Sequence, residues 1–201
     1  MVMVEPVAGN MGVVPPAPGY LNGLRDLCTR HGALLVFDEV ITGFRVGPAG
    51  MQGITGIAPD LSILGKVVGG GLPLAAVGGR ADVMDHLAPV GPVYQAGTLS
   101  GNPLATAAGL AALALLDDAA YTSLEAKATH LVGGLRDAIP DAQVTQAHTL
   151  VGVFFSPSPV TNYDEAKAAD HERYARWFHG LLDRGVYVAP RGYETLFPSL
   201  A

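Results

Sequence analysis

Two residues stand where a side chain meets a ligand rather than a core. Asp38 directly follows the apolar run Ala33-Leu34-Leu35-Val36-Phe37. A continuous run of this kind marks a strand buried on both faces of a parallel sheet. Ligands of open parallel sheets bind at the carboxyl ends of the strands, so a carboxylate there is placed to meet a cofactor. The competing expectation is that Asp38 or Glu39 caps the segment that follows. Lys66 is the second such residue. Of the three lysines, Lys127 and Lys167 lie on segments expected to be exposed helices. Lys66 instead follows Leu61-Ser62-Ile63-Leu64-Gly65 and precedes Gly69-Gly70-Gly71-Leu72-Pro73. A lysine so placed is either a structural ammonium or a reactive amine, because desolvation disfavours its charged form and frees the nucleophile.

Other constellations point to less. Gly97-Thr98-Leu99-Ser100-Gly101 is not a nucleophile elbow, since its serine is displaced by one position. It presents hydroxyls and backbone N–H groups just ahead of a helix starting near Pro103, which suits an anion such as phosphate. Gly65-Lys66 is followed by Val67 and lacks the leading glycine of a phosphate-binding loop. Gly69–Gly71 by itself reads as a plain turn. The six histidines show no metal-ligand spacing, and the lone Cys28 makes no zinc site.

The elements that must position these residues alternate between two periodicities. Val2–Val4, Ala33–Phe37, Leu61–Leu64 and Leu74–Val77 read as short buried strands. Tyr20–Arg30 carries Leu21, Leu24, Leu27 and Cys28 at helical spacing, with His31-Gly32 as its stop. The alternation predicts an α/β fold, with a mostly parallel sheet covered by helices on both faces. An Ala- and Leu-rich helix is expected from Pro103 to about Leu116, and a second from Tyr121 to Ala138. Beyond them, Val151–Phe155 and Val186–Ala189 read as strands and Asp170–Arg184 as a helix. The pattern changes near Asp117, so residues 1–117 are expected to form part of one large domain and 118–201 part of an α+β domain.

Composition bounds the partners. About half the residues are hydrophobic and 15% are charged, which predicts a substantial core rather than disorder. A net charge of −6 with 12 scattered Lys and Arg argues against nucleic acid as a partner. One cysteine fits a reducing cytoplasm. The opening Met1–Pro6 does not read as a signal peptide. Leu104–Leu116 is too short to span a bilayer, which needs about 20 residues.

As a set, the motifs become specific. Leu34-Leu35-Val36-Phe37-Asp38-Glu39-Val40-Ile41-Thr42-Gly43-Phe44-Arg45 resembles the aspartate motif of the class III aminotransferases, and Pro59–Pro73 resembles their lysine motif. Glu5–Gly12 and Gly91–Pro103 are similar to the aminomutase branch of that family rather than to its ornithine- or GABA-type members. The resemblance implies the pyridoxal 5'-phosphate fold of type I and a homodimer with the active site at its interface. It implies pyridoxal and pyridoxamine 5'-phosphate as cofactor forms and Lys66 as the Schiff-base lysine and proton carrier. Asp38 would pair with the pyridine nitrogen, and Val40 would pack on the ring. Gly97 and Thr98 would bind the phosphate of the neighbouring subunit's cofactor, and Asn10 and Glu194 would lie near the cofactor. The implied reaction is intramolecular amino transfer on a small molecule, glutamate-1-semialdehyde, giving 5-aminolevulinate for tetrapyrrole synthesis.

Both ends read as cut. The chain opens directly on a strand and stops at Leu196–Ala201 without a closing helix, so it is expected to be the C-terminal half of a longer family chain. Two alternatives stay open: a class III aminotransferase acting on another ω-amino substrate, and a catalytically inert fragment.

Overall fold

The computed structural model describes residues 1–200, which divide into two compact units. The first comprises Met1–Pro6 and Pro18–Asp117. It contains β1 (Val2–Val4), α1 (Tyr20–Arg30), β2 (Leu35–Glu39), α2 (Gly50–Thr55), β3 (Leu61–Leu64), β4 (Ala76–Gly79), α3 (Ala81–Met84) and α4 (Pro103–Leu113). The strands form one sheet in the order β1-β2-β3-β4. β1, β2 and β3 run parallel, with Val4 beside Phe37 and Asp38 beside Ile63, and β4 runs antiparallel to β3. The mixed α/β class with a mainly parallel sheet is the class the sequence predicts.

Apolar alternation explains the centre of this sheet. Leu35 and Phe37 are fully buried and pack with Leu21 and Cys28 of α1. The boundaries moved for reasons of pairing. β2 begins at Leu35 and continues through Asp38 and Glu39, because the ladder to Ile63 and Leu64 needs only backbone groups. Asp38 therefore lies within the strand rather than after it. The strand expected at Leu74–Val77 is Ala76–Gly79, and it is mostly exposed rather than buried. α4 stops at Leu113, and Leu115 and Leu116 tighten into turns on Ala112 and Leu113.

The second unit comprises Val7–Ala17 and the chain from Asp118 onward. It contains α5 (Asp118–Ala138), β5 (Gln143–Ala147), β6 (Leu150–Phe154), α6 (Tyr163–Ala168) and α7 (His171–Leu182). A single cut near Asp117 does not describe this division, because Val7–Ala17 crosses to the second unit. There Ala8 pairs with Val14, and the Thr145 hydroxyl donates to the Val13 carbonyl at 2.8 Å. β5 and β6 form an antiparallel hairpin. Leu124, Ala128 and Val132 of α5, spaced four apart, are its buried face. Ala128 and Val132 join Val144, Val151, Tyr174 and Phe178 in one core. α7 is capped by Asp170, whose carboxylate accepts from the Arg173 amide at 2.8 Å. Val186–Ala189 is not a strand. No strand among the described residues pairs with it, and it lines an open apolar hollow of about 740 Å3 with Leu131, Trp177 and Leu181.

Candidate functional site

Two neighbouring parallel strands deliver the two chemical groups to the same edge of the sheet. Side chains alternate along a strand, so Leu35, Phe37 and Glu39 share one face of β2 and Asp38 takes the other. Asp38 is half-buried, and its Oδ1 accepts the Val40 amide at 3.0 Å. That bond turns the chain out of β2 and lays Val40 over the exit of β3. A Cβ placed on Gly65 would come within 3.2 Å of Val40 Cγ1. Lys66 follows at once, two residues beyond the last paired residue of β3. Asp38, Val40 and Lys66 thus all stand at the carboxyl ends of two adjacent parallel strands.

Lys66 is exposed and has φ of 48°, a left-handed conformation that costs a non-glycine residue about 1–3 kcal/mol. It opens a single 3-10 turn, Lys66–Gly69, wedged against α4. Of the three glycines, Gly70 is the one that lets the turn approach that helix. Gly70 has φ of 57°, and a Cβ there would collide with the Ala108 carbonyl of α4. Gly109 in turn faces the Val68 carbonyl with no room for a side chain. Gly70 and Gly109 thus let the turn that opens at Lys66 pack directly on α4.

Of the two acidic residues expected either to face a ligand or to cap, Glu39 does the capping. It is fully buried and accepts the Met51 and Gln52 amides at 2.7 and 3.1 Å, at the start of α2. A third carboxylate went unnoticed in the sequence. Asp60 lies just ahead of β3 and accepts from the Leu35 amide at 2.7 Å, Arg25 at 2.8 Å and Arg80 at 2.8 Å. Burial pushes its carboxyl up. The Leu35 amide and the two guanidinium groups outweigh burial and hold it down at about 2. Its partners lie 35 and 20 residues away in sequence, which is why no local pattern reveals it.

Gly97 and Thr98 stand on a different segment, the exposed turn that leads into α4. The Ser100 amide donates to the Gly97 carbonyl at 3.0 Å. Asn102 caps the helix, accepting the Leu104 and Ala105 amides at 3.0 and 3.2 Å. The Leu104 and Ala105 amides of the first turn are thereby already taken by Asn102.

Asn10 and Glu194 belong to the second unit, where two hydrogen bonds hold their segments side by side. The Gly12 amide donates to the Tyr193 carbonyl at 2.7 Å, and the Thr195 hydroxyl donates to the Gly9 carbonyl at 2.8 Å. Both side chains are exposed. Burial, then the Glu194 charge, pushes the Tyr174 phenol up to about 12. The Tyr174 hydroxyl donates to the Ala189 carbonyl at 2.9 Å.

Comparison with known proteins adds to this geometry. Residues 1–200 match the family model of the class-III aminotransferases. The chain is 55% identical to a glutamate-1-semialdehyde 2,1-aminomutase of Desulforapulum autotrophicum, matching all of this chain and 48% of that protein. It is 54% identical to the enzyme of the same description from Desulforudis audaxviator, again over 48% of its length. The chain thus spans about half the length of the curated relatives it matches. Among solved structures, an omega-transaminase from Sphaerobacter thermophilus superposes with a TM-score of 0.89 at 31% identity, over 98% of this chain and 47% of that one. A glutamate-1-semialdehyde-aminomutase from Pseudomonas aeruginosa, in complex with PMP, superposes with a TM-score of 0.85 at 32% identity, over 98% and 47%.

Proposed function

This chain belongs to the class-III aminotransferase family, and from that premise we propose that the protein moves an amino group within one small molecule, using pyridoxal 5'-phosphate. The substrate is glutamate-1-semialdehyde and the product 5-aminolevulinate, as the names of the relatives at 54–55% identity indicate. The observation that carries the reading is the register of β2 and β3, which sets Asp38, Val40 and Lys66 at adjoining strand ends. The donor set suits the cofactor: an amine for the aldehyde, a carboxylate for the ring nitrogen, an apolar side chain for the ring face.

When bound, pyridoxal phosphate supplies an electron sink for the bond broken at the substrate carbon. Lys66 Nζ holds the cofactor and carries protons between substrate carbons. The Asp38 carboxylate keeps the ring nitrogen protonated, an opposite charge favouring the charged form. Val40 would pack on the ring. Gly97 and Thr98 bind the phosphate of the neighbouring subunit's cofactor, and Asn10 and Glu194 lie near it. Met1–Pro6 and Pro18–Asp117 serve cofactor binding, and Val7–Ala17 with the chain from Asp118 forms part of the smaller domain.

A homodimer is part of the same proposal. α4 is apolar all round, yet Leu104 is 74% and Leu110 67% exposed. A helix of that composition belongs in an interior or an interface, and it follows the Thr98 turn directly. The product's use in tetrapyrrole synthesis, and a place in the reducing cytoplasm suited to the lone buried Cys28, complete the reading.

Borohydride reduction of the pyridoxal-phosphate-treated protein, followed by peptide mass spectrometry, tests it. Label confined to Lys66, and absent from Lys66→Ala, is the expected result; equal label on Lys127 and Lys167 sinks the proposal. Lys66→Ala should also lower turnover by at least about a thousandfold. Product formed without an added oxo-acid acceptor identifies the mutase, and a strict need for an acceptor identifies an ω-aminotransferase instead.

A further inference from the structure

We infer that Glu39 is a positioning residue that sets Asp38 against Lys66, acting through a buried relay to Gln52 and Ser62; this rests on the function proposed above. The relay begins at a fully buried carboxylate on the face of β2 opposite Asp38. Glu39 Oε2 accepts from the Thr42 hydroxyl at 2.8 Å and the Met51 amide at 2.7 Å. Oε1 accepts from the Gln52 amide at 3.1 Å and from Gln52 Nε2 at 3.3 Å. Gln52 Nε2 also donates to Ser62 Oγ on β3 at 3.1 Å. Ser62 is the register partner of Phe37, next to Asp38. One side-chain relay therefore ties β2 to β3, the two strands that carry the carboxylate and the lysine.

The surrounding chain is shaped to let that carboxylate in. Gly50 has φ of 58°, and a Cβ there would collide with Glu39 Oε2. A Cβ on Gly43 would lie 2.7 Å from the Glu39 carbonyl oxygen, which accepts the Gly43 amide at 2.8 Å. α2 has no side-chain cap of its own at Ala49, so Glu39 supplies it from a distance. The loop from Val40 to Ala49 is closed at both ends on this one residue, and its first member is the residue proposed to pack on the cofactor ring. Removing a buried acceptor leaves several donors unmet at once, and the strain falls on both neighbours of the site.

The test compares wild type with Glu39→Gln, which keeps shape but turns an acceptor into a donor, and with Gln52→Leu, which spares the two backbone amides of the α2 cap and removes the side-chain link from Glu39 to Ser62. In the cofactor-free proteins, hydrogen exchange at Val40 and at residues 65–68 should be at least about fivefold faster in both variants. In the pyridoxal-loaded proteins, the pH midpoint of the visible absorbance should rise by at least about half a unit. A loosened Asp38 leaves the ring less positive, and less like charge disfavours protonation of the lysine-bound cofactor less. A lower melting temperature with exchange at both segments and midpoint unmoved would show a purely structural residue and overturn the inference. Should Glu39→Gln fail to fold, unchanged exchange and midpoint in Gln52→Leu overturn it equally. Wild type that takes no cofactor at Lys66 refutes the proposed function instead, and the exchange comparison still decides the relay.

Discussion

Asp60 gives the clearest case of a single residue whose charge state matters to the fold. Its folded carboxyl sits at about 2, below the ordinary 3.8. A depressed carboxyl binds fewer protons folded than unfolded, so its stabilisation is present above about pH 4 and is lost as the pH falls towards 2. Asp60→Asn should lower the melting temperature by roughly 3–6 °C at pH 7, where it leaves Arg25 with an unpaired, mostly buried charge. The gap between variant and wild type should close by pH 2; a gap that is constant with pH would rule out ionisation as the cause. Tyr174 works in the opposite direction, its phenol raised to about 12 from 10. Its contribution is intact below pH 10 and fades as the pH rises towards 12, which Tyr174→Phe should abolish in an alkaline melting series. At this scale the sequence showed Asp38 and Lys66 because each ends an apolar run. It did not show Asp60 or the relay from Glu39, whose partners are remote in sequence.

At the scale of the element, α4 and the turn packed on it make separable predictions. Asn102 caps α4 with two amide bonds, and Asn102→Ala should cost about 1 kcal/mol, measured by denaturant unfolding. Gly70→Ala should cost more, at least about 2 kcal/mol, since left-handed strain adds to a collision with the Ala108 backbone. It should also weaken labelling of Lys66, four residues earlier in the same segment; normal labelling would show that the turn does not aim the lysine. Helices were legible where amphipathic spacing and caps agreed, as in α1 with its His31-Gly32 stop. Strands were less so. Val186–Ala189 has the composition of a strand, but a strand exists only when another backbone pairs with it, and composition does not say whether one is there.

For the molecule as a whole, the exposed leucines of α4 are the feature to test. Leu104→Glu with Leu110→Glu should leave the circular dichroism spectrum unchanged while shifting the protein to a smaller species by light scattering. No change in size would mean that α4 does not lie in a subunit interface. No single described helix is long and apolar enough to cross a membrane.

Sequence alone determined the class of the fold, since continuous apolar runs alternating with helical spacing admit few arrangements other than a covered parallel sheet. It also determined the chemistry on offer, because only one lysine sits between a buried strand and a glycine-rich turn. Tertiary structure decided which groups meet. Register between β2 and β3 sets Asp38 beside Ile63 and brings Val40 onto Gly65. Chain folding carries Val7–Ala17 into the second unit, where the Gly9 carbonyl accepts from the Thr195 hydroxyl across 186 positions. Those pairings depend on backbone hydrogen bonds between remote segments, which side-chain periodicity along the chain does not encode.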